Sequence, residues 1–301
     1  RVGWYPFAIS EAKKFLRSNN IHAIVTIGPP HSTHLIGLRL SKLFKIPHIP
    51  ILIDPWVDII YYKDFKRNAF TLKLDKYLEE KVFDNSFRTV FVTESTREDY
   101  NKKYSFLKNK SEVLYWGYDE EYFLNRKKEL NKDYEIILHA GNLFDYQNPI
   151  NFWKKVKSEI EKGRKLKLRF IGTVSPAIIN TLTSIGLIEH SEILGFLSYE
   201  DAVQEMMNAD FLLVCPTERR HLPGKLFEYM RTGNKIIAFG DENEEVKKLI
   251  EKSNSGGFFR YESDAESVLC GSSIFQTDIN FAKTFDRKAV AKGLVSLLNE
   301  I

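Results

Sequence analysis

Ten short runs of continuously apolar residues, separated by segments with helical spacing, constrain this chain more than any other feature. In the first part they are HAIVTIG (22–28), HIPILID (48–54), TVFVTE (89–94) and EVLYWG (112–117). In the second part they are EIILHAG (135–141), LKLRFIG (166–172), SEILGF (191–196), DFLLVCP (210–216), NKIIAFG (234–240) and GGFFRY (256–261). Strands that are apolar throughout, instead of alternating, are those covered on both faces. Intervening segments such as THLIGLRLSKLF have the helical period that supplies the cover. The pattern predicts an α/β architecture of parallel sheets flanked by helices. Residues 118–134, YDEEYFLNRKKELNKDY, are polar and lack a strand signal, which predicts a linker there. Two doubly wound domains follow, over 1–117 and 135–280, with a last helix over 281–301 that would pack back on the first domain. Ligands of such sheets collect beyond the carboxyl ends of the strands, here in the cleft where the two domains would face each other.

A chain of 301 residues with 43% hydrophobic content is long enough for two ordinary domains. No stretch approaches the roughly 18–20 apolar residues of a membrane-spanning helix, and no signal-peptide pattern occurs. Two cysteines, Cys215 and Cys270, make no disulfide framework, so reduced thiols and a cytoplasmic setting are expected, with Cys215 in the core. Charge is uneven: residues 1–115 carry 19 Lys+Arg and 12 Asp+Glu, and residues 116–301 carry 25 and 28. The basic first part suits either a solvated lysine-rich surface or an anionic partner, such as a phosphate-bearing substrate or the inner face of a membrane.

Several chemistries are excluded by what is missing. There is no phosphate loop ending in Gly-Lys-Ser/Thr and no Gly-x-Gly-x-x-Gly after a strand, which argues against P-loop ATPases and dinucleotide-dependent dehydrogenases. Nor is there metal-ligand spacing of Cys and His, or an Asp-x-Asp pair to hold a divalent ion on a diphosphate. No metal and no cofactor are expected.

The segment FLLVCPTERRHLPGKLFEYMRTG reads as strand, loop and helix. Pro223 and Gly224 interrupt the chain before the helix, and Leu226, Phe227 and Met230 turn one face inward. Lys225 and Glu228 then share the other face in the first turn. A helix start at the end of a parallel strand is an anion site, and a lysine there adds a point charge for a diphosphate. An ionised glutamate accepts from the paired hydroxyls of a ribose. The same two residues also fit an ordinary surface pair at i, i+3.

PGKLFEYMRTGNKIIAFG resembles the nucleotide-binding stretch of the retaining GT-B glycosyltransferases of family 4, the group 1 enzymes. Further segments match in order. VLYWGYDEEYF is similar to the family's domain junction, ILHAGNLFDYQNP to the opening strand and glycine loop of its second domain, and SEILGFLSYEDAVQEMMNADFLLV to the segment before the nucleotide site. TIGPPHSTHLIGLRLSKLFKIPHI and IDPW resemble acceptor-domain strands. The resemblance implies a GT-B fold of two Rossmann-like domains and transfer of a sugar from a UDP- or GDP-sugar, with retention and without metal, to a glycan or lipid-linked acceptor. By position it implies that Glu228 binds the ribose, Lys225 the diphosphate, and Phe196 and Leu197 the base through their backbone. Gly141, Asn142 and Gly172 would line the phosphates, with Leu222 and Arg220 completing the nucleotide-sugar site.

Three departures accompany the resemblance. Arg220 stands where the family often has a second glutamate that holds the donor sugar, and Arg219 and Arg220 fit either a phosphate site or plain surface charge. The family often has Arg and Lys after its glycine, where this chain has Asn142 and then Gln147 and Asn148. The family's first strands and glycine loop have no counterpart in RVGWYPFA, so the chain is expected to enter that domain part-way.

In GPPHSTH, Ser32 or Thr33 can cap the next helix, and His31 and His34 lack the third ligand of a metal site. His31 fits either a structural histidine or one that bonds a sugar hydroxyl or polarises the acceptor, a catalytic role beside those of Lys225 and Glu228. Asp54 ends a strand toward the cleft on the acceptor side, or caps the next segment. Residues 59–83 mix Tyr61, Tyr62, Phe65 and Phe70 with Lys63, Lys66, Arg67, Lys73 and Lys76. Such a helix either packs with solvated lysines or lies on an anionic membrane that presents a lipid-linked acceptor; no nucleic-acid recognition module accompanies it. The expected activity is a glycosyltransferase of surface polysaccharide or glycolipid assembly. Two rivals remain, a GT-B-type nucleotide-sugar epimerase and a non-catalytic nucleotide-sugar-binding module.

Overall fold

A computed structural model describes residues 3–59, 67–129, 133–271 and 275–301. The chain divides into two compact units, one of residues 1–115 with 291–301 and one of residues 116–290. The first unit runs α1 (Tyr5–Ser18), β1 (Ile24–Gly28), α2 (Ser32–Phe44), β2 (His48–Leu52), α3 (Ala69–Asp84), β3 (Thr89–Phe91), α4 (Glu94–Lys103) and β4 (Ser111–Val113). Its strands are parallel in the order β1-β2-β3-β4, so each helix carries the chain to the next position on one edge. Leu38, Leu52, Val82, Phe83, Phe91 and Tyr100 form its main core. The helix starts follow from side-chain caps: Asn68 accepts from the Thr71 amide at α3, and Thr93 accepts from the Thr96 amide at α4.

Two features of this unit escape the apolar pattern. Strand β1 lies at the edge and exposes Val25 and Ile27, by 37% and 50%, while the polar Thr26 is buried. Glu79 of α3 is fully buried and accepts from the Val57 amide (3.0 Å), the Tyr100 hydroxyl (2.8 Å), the Lys103 ammonium (2.6 Å) and the Tyr104 hydroxyl (2.9 Å). The carboxylate therefore anchors the loop after Asp54, where the Trp56 amide also donates to Tyr100. The helix expected over 59–83 is observed as α3 from Ala69. Residues 60–66, with Tyr61, Tyr62, Lys63, Phe65 and Lys66, lie outside the described residues.

The second unit runs β5 (Glu135–Ala140), α5 (Ile150–Glu161), β6 (Leu166–Ile171), α6 (Pro176–Ser184), β7 (Ser191–Gly195), α7 (Tyr199–Asn208), β8 (Phe211–Val214), α8 (Lys225–Thr232), β9 (Lys235–Phe239), α9 (Glu244–Ser253), β10 (Gly256–Phe259), α10 (Glu266–Leu269) and α11 (Ile279–Lys283). A further helix, α12 (Arg287–Leu298), runs from this unit into the residues of the first, where Leu297 packs with Ile49 and Val90. The six strands of the second unit are parallel in the order β10-β9-β8-β5-β6-β7. The order reverses between β5 and β8, which makes the carboxyl ends of these two strands the topological switch point. Phe152, Trp153, Leu168, Phe170, Ile178, Leu213 and Phe239 fill the core beneath.

All ten apolar runs are strands, but most ladders stop before the run does, β2 at Leu52 and β8 at Val214. The last apolar residues leave the ladder to form the loops at the carboxyl ends. The described part of the segment expected as a linker is packed in the second unit: Tyr118 is fully buried, Arg231 donates to Glu120 at 2.6 Å, and Lys128 bonds the Ala209 carbonyl at 2.8 Å.

Candidate functional site

At the switch point of the second unit, Gly141 follows β5, Gly172 follows β6 and Gly195 ends β7, with φ of 111°, 97° and 67°. These are left-handed values that an L side chain rarely adopts. The Gly141 amide donates to the Ile171 carbonyl (2.7 Å) and the Gly172 amide to the Gly195 carbonyl (2.6 Å). A Cβ on Gly172 would lie 2.9 Å from the Gly141 carbonyl atoms, so the two loops are in backbone contact.

Lys225 opens α8 and reaches these glycines. A Cβ on Gly141 would lie 2.8 Å from Lys225 Nζ. The ammonium is 3.2 Å from Nε2 of His139, which is buried in β5. His139 Nδ1 lies 3.0 Å from the Leu213 carbonyl of β8 and can only donate to it, so Nε2 is the bare nitrogen and accepts from Lys225. Burial first, and then the Lys225 charge, hold His139 well below the usual histidine range, which keeps it a neutral acceptor. Desolvation likewise lowers Lys225 to about 8. His221, in the preceding loop, is lowered to about 4 by burial and then by Lys225, and its Nδ1 accepts from the Thr217 amide at 2.9 Å.

The start of α8 uses part of its own amides. Leu226 N donates to Pro223 O (2.9 Å) and Phe227 N to Gly224 O (3.1 Å), so the pull on an anion comes mainly from the helix dipole and Lys225. Leu226, Phe227, Tyr229 and Met230 are fully buried. Tyr229 accepts from the Ala140 amide at 2.9 Å, which ties the helix to the last residue before Gly141. Glu228, one turn on, accepts from the Tyr199 hydroxyl at 2.7 Å, and Tyr199 meets Tyr122 edge-on at 4.6 Å. Burial raises the Glu228 carboxyl, against the opposing pull of Tyr199, Arg287 and Lys225.

The other expected residues are distributed as follows. Phe196 and Leu197 follow Gly195 directly, with the Phe196 side chain 83% exposed. Asn142 is exposed and its Oδ1 accepts from the Thr173 amide at 3.3 Å. Arg220 pairs with Glu218 at 3.4 Å in the loop before Leu222, whose side chain is half-buried. Gln147 and Asn148 serve the fold: Gln147 donates to the Cys215 carbonyl and accepts from the Phe144 amide, and Asn148 accepts from the Trp153 indole at 2.8 Å. In the first unit, His31 and Asp54 lie beyond the carboxyl ends of the paired strands β1 and β2. His31 stacks on Trp56 with centroids 5.3 Å apart. Among the described residues no group of three or more His, Cys, Asp or Glu is placed to hold a metal. His139, Tyr199 and Tyr229 are absent from the sequence reading. A lone histidine inside an apolar strand, two residues before a glycine, is the signal that could have found His139.

The model of the family described as glycosyl transferases group 1 matches residues 121–268, the stretch that holds Gly141, Gly172, Tyr199, Lys225 and Glu228. The chain carries a group 1 glycosyl transferase domain. Its enzyme class is accordingly that of a glycosyltransferase, as the sequence resemblance implied. No curated protein matches the chain at a significant level. Among solved structures, it is similar to a sucrose-phosphate synthase from Thermosynechococcus elongatus (TM-score 0.72, 15% identity, covering 100% of this chain and 79% of that one). It is also similar to the Anabaena protein HepE in complex with UDP and glucose (0.70, 12%, covering 97% and 81%). A third likeness is to a glycosyltransferase from Rickettsia africae (0.73, 13%, covering 98% and 81%). These likenesses, with the two parallel sheets, give the group 1 transferase domain its setting, a GT-B fold of two Rossmann-like domains.

Proposed function

We propose that this group 1 glycosyltransferase moves a sugar from a nucleoside-diphosphate sugar, UDP- or GDP-linked, to a hydroxyl of a glycan or lipid-linked acceptor. The observation that carries the reading is the Lys225 ammonium, held 3.2 Å from a neutral His139 beside Gly141 at the switch point of the sheet. Cleavage of the sugar–phosphate bond leaves negative charge on the departing diphosphate. A cation and a helix dipole preorganised for that charge stabilise the transition state more than the ground state. Glu228 takes the ribose hydroxyls, and the backbone of Phe196 and Leu197 takes the base. Gly141, Asn142 and Gly172 give the phosphates close access to the backbone, while Leu222 and Arg220 border the sugar. His31 and Asp54 act on the acceptor side. The reading includes retention of configuration, which the family resemblance implies, and no metal, because the chain's own lysine meets the diphosphate and the sequence has no Asp-x-Asp pair. The HepE structure, a complex with UDP and glucose, supports a UDP-sugar donor.

The proposed setting is the cytoplasmic face of a membrane, in surface polysaccharide or glycolipid assembly. Its support is on α3, where Phe70, Leu74 and Tyr77, at i, i+4 and i+7, are 77%, 44% and 54% exposed and flanked by exposed Lys73, Lys76 and Lys81. An apolar stripe between lysines suits an anionic lipid surface. No helix among the described residues is long and apolar enough to cross a membrane. Calorimetry with UDP, GDP and ADP tests the donor site: absence of heat with all three at millimolar concentration would overturn it, and epimerisation of the sugar donor without acceptor would replace transfer with the rival activity.

A further inference from the structure

The loop from β8 to α8 holds a second neutral histidine besides His139. His221 stands four residues before Lys225, and its polar atoms are committed within the loop except for one. Its amide donates to the Glu218 carbonyl at 3.1 Å, and its carbonyl accepts from Asn243 Nδ2 at 2.7 Å. Asn243 Nδ2 also reaches the Glu218 carbonyl at 2.6 Å, while Asn243 Oδ1 caps α9 by accepting from the Val246 amide at 2.9 Å. Nδ1 of the ring faces the Thr217 amide and hydroxyl, each 2.9 Å away. These bonds fix the loop around the histidine.

A backbone amide can only donate, so Nδ1 is the bare nitrogen and Nε2 carries the proton. Burial, and then the Lys225 charge, hold the ring at about 4, so this neutral tautomer persists. Among the described residues nothing hydrogen-bonds Nε2, and this nitrogen, on a half-buried ring, is not sealed from solvent. His139 has the reverse arrangement, with its proton on Nδ1 and its bare Nε2 on the Lys225 ammonium. With the proton on Nδ1, His221 would turn a second bare nitrogen outward, free to compete with an anion for that ammonium. The Thr217 amide prevents this.

We infer that His221 Nε2–H is a further contact to the donor substrate, and that it hydrogen-bonds a phosphate oxygen of the nucleoside-diphosphate sugar beside Lys225. A fixed donor without acceptor capacity calls for a ligand that presents lone pairs. A diphosphate held by an ammonium presents several. The side chains that follow the glycine loop do not meet them: Gln147 is taken by the Cys215 carbonyl and the Phe144 amide, and Asn148 by Thr181 and the Trp153 indole. An uncharged donor adds a hydrogen bond without a second positive charge to repel Lys225. A hydroxyl of the donor sugar is the other oxygen that such a group could meet, and affinity for the nucleotide alone separates the two.

The inference deepens the donor-site reading and rests on it. Its test is His221→Asn, in which the shorter amide keeps an acceptor near the position of Nδ1 for Thr217 and removes the outer donor. In calorimetry of the full chain the variant should keep the wild-type thermal midpoint and bind UDP about tenfold more weakly, the size of one hydrogen bond to a charged group. UDP-glucose should lose the same factor. In nitrogen-15 NMR of the wild type, with the seven histidines assigned by single substitution, His221 should be protonated on Nε2, and UDP should move that proton downfield. Wild-type UDP affinity in the folded variant overturns the inference, as does a loss confined to UDP-glucose, which would place the donor on a sugar hydroxyl. A free-state proton on Nδ1, or an Nε2 proton that ignores bound UDP, overturns it as well, and these two readings decide alone if His221→Asn does not fold. If the wild type binds GDP and not UDP, GDP and GDP-glucose take their places in every arm. Binding of neither nucleotide removes the donor site and this inference with it, whereas binding that His221 does not sense sinks this inference only.

Discussion

Lys225 Nζ donates to His139 Nε2 across 3.2 Å, and the histidine is locked as an acceptor because its other nitrogen donates to the Leu213 carbonyl. A half-buried lysine is thereby aimed by a neutral partner, so its charge stays available to an anion. A carboxylate in place of His139 would neutralise it.

Lys225→Met should remove that charge and weaken UDP binding by about 1–3 kcal/mol, the range for a lost charge-assisted hydrogen bond. Gly141→Ala should weaken it comparably, because its Cβ would lie 2.8 Å from Nζ and the backbone there has φ of 111°. Isothermal calorimetry measures both. Wild-type affinity in a folded Lys225→Met protein would remove the lysine from the site.

The pH dependence of binding follows from the lowered Lys225 value of about 8. UDP binds the protonated ammonium, so affinity should fall as pH rises through about 8, with proton uptake on binding near that pH. Lys225→Arg should abolish the fall. The effect on stability has the opposite direction: between about 8 and the ordinary lysine value of 10.5 the unfolded chain binds the extra proton, so this group makes the fold gain stability as pH rises there. A flat affinity profile from pH 6 to 9.5 would contradict the shift.

Glu228 and Tyr199 share a 2.7 Å hydrogen bond, which fixes the carboxylate at the start of α8. Wild-type protein should bind UDP more tightly than 2′-deoxy-UDP by about 1 kcal/mol or more, and Glu228→Ala should bind the two alike. Tyr199→Phe should give an intermediate preference. Equal affinities in the wild type would take Glu228 away from the ribose.

Leu74→Glu and Phe70→Glu on the exposed face of α3 should abolish sedimentation with anionic phospholipid vesicles and leave UDP affinity unchanged. Binding of the wild type should also weaken as salt rises. Wild-type protein that stays in the supernatant at low salt would refute the membrane setting.

Buried Glu79 anchors four donors, so Glu79→Ala should destabilise the chain by about 3–5 kcal/mol, the cost of breaking a buried charged network. Thermal unfolding reads this directly. A loss under about 1 kcal/mol would mean that the network is replaced by water at little cost.

Local patterns in the sequence determined the ten strands, the parallel sheets and the helix that begins at Lys225, because continuous apolar runs and helix-stop residues act over a few neighbours. They also picked out Lys225 and Glu228 as partners of one helix face. What they could not contain is pairing at long range. His139 meets Lys225 across 86 positions, Tyr199 meets Glu228 across 29, and Glu79 gathers donors from two other segments. Thr26 reads as a stray polar residue in an apolar strand until the fold sets His34 and His48 on either side of it. Gln147 and Asn148 stand where phosphate ligands were sought, and only the packing of Cys215 and Trp153 turns them into supports of the loop. Burial decides each of these cases: a polar group taken out of water must find its partner wherever the tertiary structure supplies one, whatever its distance along the chain.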